Sequence, residues 1–259
     1  MALTTSLRVF EASAAAYRRT YRGSLITTFL NPVLYLAALG AGLGSLVDAG
    51  TGAAPLPGVG YLAFLAPGLL AAAAAQTGAG DASYPVMAGL KWRRTYHAVL
   101  ATPVGIADLV AGLLGWVLVR VTMTAVVFAA VMTAFGAAPL PRALLACLPA
   151  ILTGIAVGAA VCAFTASLDS EYGLAYLFRF GIIPMFLFSG TFFAITQLPG
   201  WVQPLARLTP LWHGVELSRA VALDTAPAWP AAVHVAYLVA WLGVGVALAV
   251  RNFRRRLER

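Results

Sequence analysis

Few side chains in this chain are equipped for chemistry, and their spacing narrows what they could do. Its single lysine, Lys91, stands between Leu90 and Trp92. A phosphate-binding loop needs glycines running into Gly-Lys-Ser/Thr, so that backbone amides cradle the phosphates and the lysine reaches them. No such loop can form here, which excludes a P-loop ATPase. His97, His213 and His234 are widely separated, and no His/Cys set has ligand spacing, so no metal site is expected. Cys147 and Cys162 sit in one apolar run, roughly 22 Å apart if that run is helical, beyond disulfide reach. His213 and Glu216 are one helical turn apart. Such a pair could serve an intramembrane acyl- or glycosyl-transferase as a general base, or form an ordinary interfacial pair. The acidic residues form no chain along any apolar run, as a proton-driven carrier would require.

Arg120 and Arg179 fall inside apolar runs. An unpaired arginine at mid-bilayer costs about 2.5–3.5 kcal/mol, so each needs a partner or a route to water. Arg120, about 14 residues or roughly 21 Å into its run, should face a protein interior, a cavity or a carboxylate. A gating partner or an anionic substrate group is the functional reading. Arg179, nearer a run's end, should snorkel or pair with Asp169 or Glu171.

The elements that position these residues follow from composition. With 61% hydrophobic and 10% charged residues, the chain cannot cover a water-facing surface; soluble domains are about 25% charged. A soluble enzyme, a secreted disulfide scaffold and a disordered regulator are all excluded. Six runs are long enough to cross about 30 Å of hydrocarbon: 25–47, 61–80, 106–135, 143–168, 174–193 and 230–250. The expected fold class is therefore all-α integral membrane with six transmembrane helices. The first run follows 24 residues with four arginines and is no cleaved leader. Of the 17 basic residues, 12 lie before the first run, between the second and third, or after the sixth. That asymmetry places both termini in the cytoplasm. It also explains the net charge of +8 by anionic lipid, with no need for nucleic acid.

Three segments stand out. Leu3, Leu7, Phe10, Ala14, Tyr17 and Tyr21 share one helical face, which describes an amphipathic helix along the cytoplasmic membrane surface within 1–24. Between the second and third runs, Leu90, Lys91, Trp92, Arg93, Arg94, Tyr96, His97 and Leu100 form a basic, aromatic segment too elaborate for a tether, suited to a helix docked on another protein. Residues 194–229 are divided by prolines but stay apolar, which suits two short helices at the outer face, with Trp201, Trp212, His213 and Glu216 among them. Gly40 and Gly44 in the first run make a small-residue face for close helix packing or a dimer.

Taken together, these segments resemble the ABC-2 class of exporter permeases. Phe29–Leu36 running into Gly40–Gly44, Tyr61–Gly68, Lys91–Tyr96 with Leu100–Pro103, Phe188–Phe193, and Leu198–Trp201 through Thr209–Glu216 are similar to the NodJ-type branch, associated with lipooligosaccharide export, and to related drug-efflux permeases. The resemblance covers about the whole chain in order. It implies a second copy of this permease or a sibling, and two separate ATPase subunits that bind ATP and Mg, this chain holding no cofactor. It also implies a bacterial cytoplasmic-membrane location. Residues 88–100 would be the coupling helix, spans one, two and five would line the path, and 194–223 would close it. Residues 25–250 form the transmembrane domain and 251–259 a basic tail. The Ala-rich start of span two departs from the family's partly polar one. An amphipathic or lipid-linked cargo leads to the expectation of a groove of Phe, Leu and Val with few polar groups. A passive channel would show charge rings or a filter repeat, and neither is visible.

Overall fold

The computed structural model describes residues 2–19, 21–44 and 58–258, and no strand occurs among them. The end of the first expected span, 45–47, lies outside the described residues. Helix α1 (Ala2–Tyr17) leads into α2 (Tyr21–Tyr35), which widens into a π-helical stretch, Leu36–Leu43. Then come α3 (Tyr61–Asp81), the short α4 (Tyr84–Met87) with its π turn Ala88–Trp92, and α5 (Thr95–Leu100). Two long helices follow, α6 (Ile106–Ala134) and α7 (Leu140–Ser167). Next is a broken helix, α8 (Tyr172–Leu177) continued by Phe178–Ile182 into α9 (Ile183–Phe188). The chain ends with α10 (Val202–Arg207), α11 (Pro210–Leu223) and α12 (Ala231–Leu257).

Five helical stretches are long and apolar enough to cross a membrane: Tyr21–Gly40, Tyr61–Trp92, Ile106–Ala134, Leu140–Ser167 and Ala231–Leu257. The run expected as a span over 174–193 is helical only over Tyr172–Phe188, about 26 Å long. It stops because the chain turns at Gly190, whose φ of 81° suits a residue without a side chain. The basic segment expected as a tail is helical to Leu257, continuous with α12, with Arg254, Arg255 and Arg256 in the last turn.

Helix α3 is the most enclosed span, and the run Ala71–Ala75 explains why. Small side chains let neighbouring backbones approach closely. A Cβ on Gly78 would strike the Gly154 carbonyl of α7, and one on Gly154 would lie 2.7 Å from the Ala74 carbonyl. Gly78→Val is therefore expected to force the α3–α7 crossing apart, at about 1–3 kcal/mol or more. A thermal melt of the purified variant measures the loss, and an unchanged midpoint would refute the backbone-to-backbone contact. Gly40 rests on Leu62 and Gly44 on Tyr61, so the small-residue face of the first span is occupied within the chain.

Helix α1 does not lie free on a surface. Thr5 meets Asp108 (2.7 Å), Val9 fills the space beside Gly112, and Tyr17 meets Arg120. It thus runs alongside the first four turns of α6 in the same direction. Phe10 and Tyr17 of the expected apolar face pack on Trp116, but Val9 is buried beside them whereas Leu7 is 53% exposed. Heptad-like spacing could not show that Gly112 opens a slot for Val9.

Candidate functional site

A cavity of about 240 Å³ lies between α2, α3, α6 and α9. Pro32 of α2 lacks the N–H that would bond to the Thr28 carbonyl, and both residues line it. Asn31, Gln76, Thr77, Thr124, Asp81 and Arg120 add polar groups, and Tyr35, Phe128 and Phe186 add rings. The chamber is as much polar as apolar, unlike the expected groove of Phe, Leu and Val. Its polar residues come one or two to a helix, so average composition hides their convergence.

Arg120 holds one end of this chamber. Its Nε donates to Asp81 Oδ2 at 3.0 Å and its Nη1 to the Tyr17 hydroxyl at 2.7 Å, with the guanidinium 4.5 Å above the Tyr17 ring. Trp116, one turn earlier, packs on Phe10 and Tyr17. The carboxylate partner is thus Asp81, the last residue of α3, and a 3.0 Å contact between Thr77 and Thr124 keeps α3 and α6 in antiparallel register. Tyr61, at the far end of α3, is 20 residues away, roughly 30 Å. Arg120 therefore sits level with the end of a bilayer-length stretch of α3 and not at its middle. Counting depth from Ile106 misplaces it, because α6 has 29 residues, about 44 Å, and overruns the hydrocarbon. Asp81, Gln76 and the glycines around them did mark α3 as turning polar there; the pairing needed the fold.

Below Asp81 the helix breaks at Ser83, and the freed Ala82 carbonyl accepts from Thr165 Oγ1 at 3.0 Å. Arg94, in left-handed conformation (φ 50°), turns the chain into α5. The segment expected to dock on a partner is therefore a corner with two unlike faces. Leu90 is buried, and Tyr96 lies over Gly89, where no Cβ would fit, with its ring 5.9 Å from Phe253 of α12. Burial raises the Tyr96 hydroxyl pKa. Leu100 is half-buried, while Lys91, Trp92, Arg93, Arg94 and His97 are exposed, Trp92 by 52%. Lys91 Nζ bonds Glu171 at 2.9 Å, and this bond holds the Glu171 carboxyl below its ordinary range. Arg179 is exposed and has no ion pair among the described residues, because Glu171, one of its two expected partners, is taken by Lys91.

At the opposite end, α10 and α11 are the two short helices expected from the prolines. Thr209 caps α11, accepting from the Trp212 amide, and Pro210 occupies the first turn. Trp201 is 75% exposed, but Trp212 and His213 are buried. The ring nitrogens of His213 face His234 Nδ1 (2.9 Å) and the Arg207 carbonyl (3.0 Å). Neither is free to serve Glu216 or a substrate, so the transferase chemistry has no base here. Glu216 instead accepts from Arg219 and, at 3.1 Å, from the Ala228 amide. Arg219, which the sequence reading left aside, ties this end together. It donates to the Gly190 carbonyl (2.8 Å) and the Phe64 carbonyl (3.2 Å) and lies 3.8 Å above the Phe64 ring. Burial lowers its pKa to about 10, which leaves it cationic at neutral pH. Both cysteines are free and buried, and among the described residues no three His, Cys, Asp or Glu side chains gather as a metal ion would need.

Residues 8–223 match the model of the ABC-2 type transporter family. The chain belongs to that family. It is also 31% identical to Nodulation protein J of Rhizobium meliloti (strain 1021) over 253 residues, 97% of this chain and 93% of that protein. It is 30% identical to Nodulation protein J of Rhizobium leguminosarum bv. viciae over 254 residues, covering 98% and 95% of the two chains. This ABC-2 type transporter is thus a multi-pass membrane protein and a transmembrane component of a transport system. The matched region includes the chamber, the corner and the α10–α11 hairpin.

Proposed function

We propose that this chain is the permease subunit of an ATP-driven exporter, working beside a second copy of itself or a sibling on two separate ATPase subunits. The exposed corner around Trp92 carries this reading. It is held by Tyr96 packed over Gly89 and against Phe253 and by Lys91–Glu171, yet it presents an exposed tryptophan among three cations, Lys91, Arg93 and Arg94. Buried anchors beneath an exposed aromatic are what a docking element needs. With no nucleotide loop of its own, the chain would receive motion from a hydrolysing partner at this corner. Tilting of α3 and α6 would then reach the chamber through Asp81 and Arg120.

In this reading both termini face the cytoplasm of a bacterial cell and the helix Tyr172–Phe188 completes six spans. The cargo is amphipathic or lipid-linked, a lipooligosaccharide, glycolipid or hydrophobic drug, and leaves the inner leaflet sideways. The broken helices 194–223 close the outer end. Affinity purification of the full chain from its native membrane tests the partnership. The expected result is co-purification of a P-loop ATPase whose hydrolysis rises with the cargo. Transport by the purified chain without nucleotide, or tags at Met1 and Arg259 on opposite faces, would overturn it.

A further inference from the structure

The hydrogen bonds at the outer hairpin fix where protons sit. A carbonyl only accepts, so His213 Nε2, 3.0 Å from the Arg207 carbonyl, carries hydrogen. In the neutral ring His213 Nδ1 is then bare, and it faces His234 Nδ1 at 2.9 Å. One hydrogen can occupy that gap, and it belongs to His234. His234 Nε2 is left as a bare acceptor, and that atom is buried with no hydrogen-bond partner among the described residues. Three elements, α10, α11 and α12, are joined by this one chain of bonds.

We infer that His213 and His234 form a proton-binding latch: the neutral pair bolts the outer hairpin to α12, and uptake of a proton releases it. The open valence is His234 Nε2, and a proton there makes a buried cation with an unpaired N–H, walled by Trp212 and Trp229. The acidic group that favours the cation, Glu216 of α11, is already shared with Arg219 and the Ala228 amide. Asp224, at the end of α11, is paired with Arg142 of α7 at 2.7 Å. Tyr237 of α12 stacks on His213 with centroids 3.9 Å apart and gives its hydroxyl hydrogen to the Leu208 carbonyl. Arg207 of α10 faces the same space and repels a second cation, and the acidic residue of α3, Asp81, is at the other end of the molecule. A cavity of about 380 Å³ between α10 and α12 is lined by His213 and Trp229 and brings open space up to the wall around His234.

The partner ring is no easier to charge: burial and the facing imidazole push His213 down to about 4. A base whose pKa is lowered in the closed state favours closure fully above its ordinary value. It loses that advantage as pH falls, by about tenfold per unit below roughly 6.5. The test is hydrogen exchange of the full-length chain in lipid nanodiscs at pH 7.5 and 5.5, corrected for intrinsic exchange. Amide protection over residues 202–214 is expected to fall about tenfold in acid, while the core of α3 is unchanged. Equal protection at the two pH values would overturn the latch. His213→Gln combined with His234→Asn is expected to abolish the pH dependence, and a surviving tenfold change would assign it elsewhere. Should that variant not fold, ring nitrogen spectra of the wild-type chain decide, with three histidines to assign. They should show two neutral rings of opposite tautomer at pH 7.5; a pair already cationic there, or identical tautomers, would overturn the latch. The readout needs no ATPase, so its failure and that of the exporter reading are distinguishable.

Discussion

Arg120→Gln is expected to destabilise the protein by about 3–5 kcal/mol, because it strands Asp81 as an unpaired carboxylate inside the chamber. The arginine is 8% exposed and joins three helices: its own α6, α3 through Asp81 and α1 through Tyr17. Asp81→Asn added to Arg120→Gln should recover most of the loss, since no charge then remains unpaired. Tyr17→Phe removes one bond to a charged group and should cost about 1.5–3 kcal/mol. Thermal unfolding in lipid nanodiscs reads all three, and an Arg120→Gln protein that melts with the wild type would show that the three helices are held by other contacts. Where the single variant still folds, loose docking of α1 should appear as faster proteolysis after Arg18 and Arg19.

Trp92→Ala is expected to leave stability within about 0.5 kcal/mol, as for an exposed side chain with no structural role. Partner-stimulated ATP hydrolysis should fall by tenfold or more, since a central tryptophan in a docking surface is commonly worth at least about 2 kcal/mol. Tyr96→Ala should do the reverse in its first effect. It empties the space over Gly89 and beside Phe253, at about 3–5 kcal/mol, so the protein is lost before coupling can be measured. Parallel measurement of melting point and ATPase stimulation separates the two. Full stimulation in a well-folded Trp92→Ala protein would remove this corner as the docking site.

The two substitutions show how far spacing alone can reach. Both aromatics belong to one basic segment, and their types suggest one shared role. Only the left-handed turn at Arg94 sends Trp92 outward and Tyr96 inward. The helix over Tyr172–Phe188 teaches the same lesson about length: the apolar run continues to Phe193, but Gly190 ends the helix early.

Hydrophobic run length and the placement of arginines were sufficient to establish a polytopic helical membrane protein, the starts and ends of α3, α6 and α7 within three residues, and two proline-led helices before the last span. These are local properties, set by the cost of leaving backbone polar groups unpaired in lipid. The chamber, the Tyr17–Arg120–Asp81 junction, the Arg219 anchor and the histidine pair were settled only by tertiary structure. Each depends on side chains meeting partners 21 to 155 positions away within about 3 Å. Contact at that range is decided by helix register and by which glycines let two backbones close, and a chain written in one dimension carries neither.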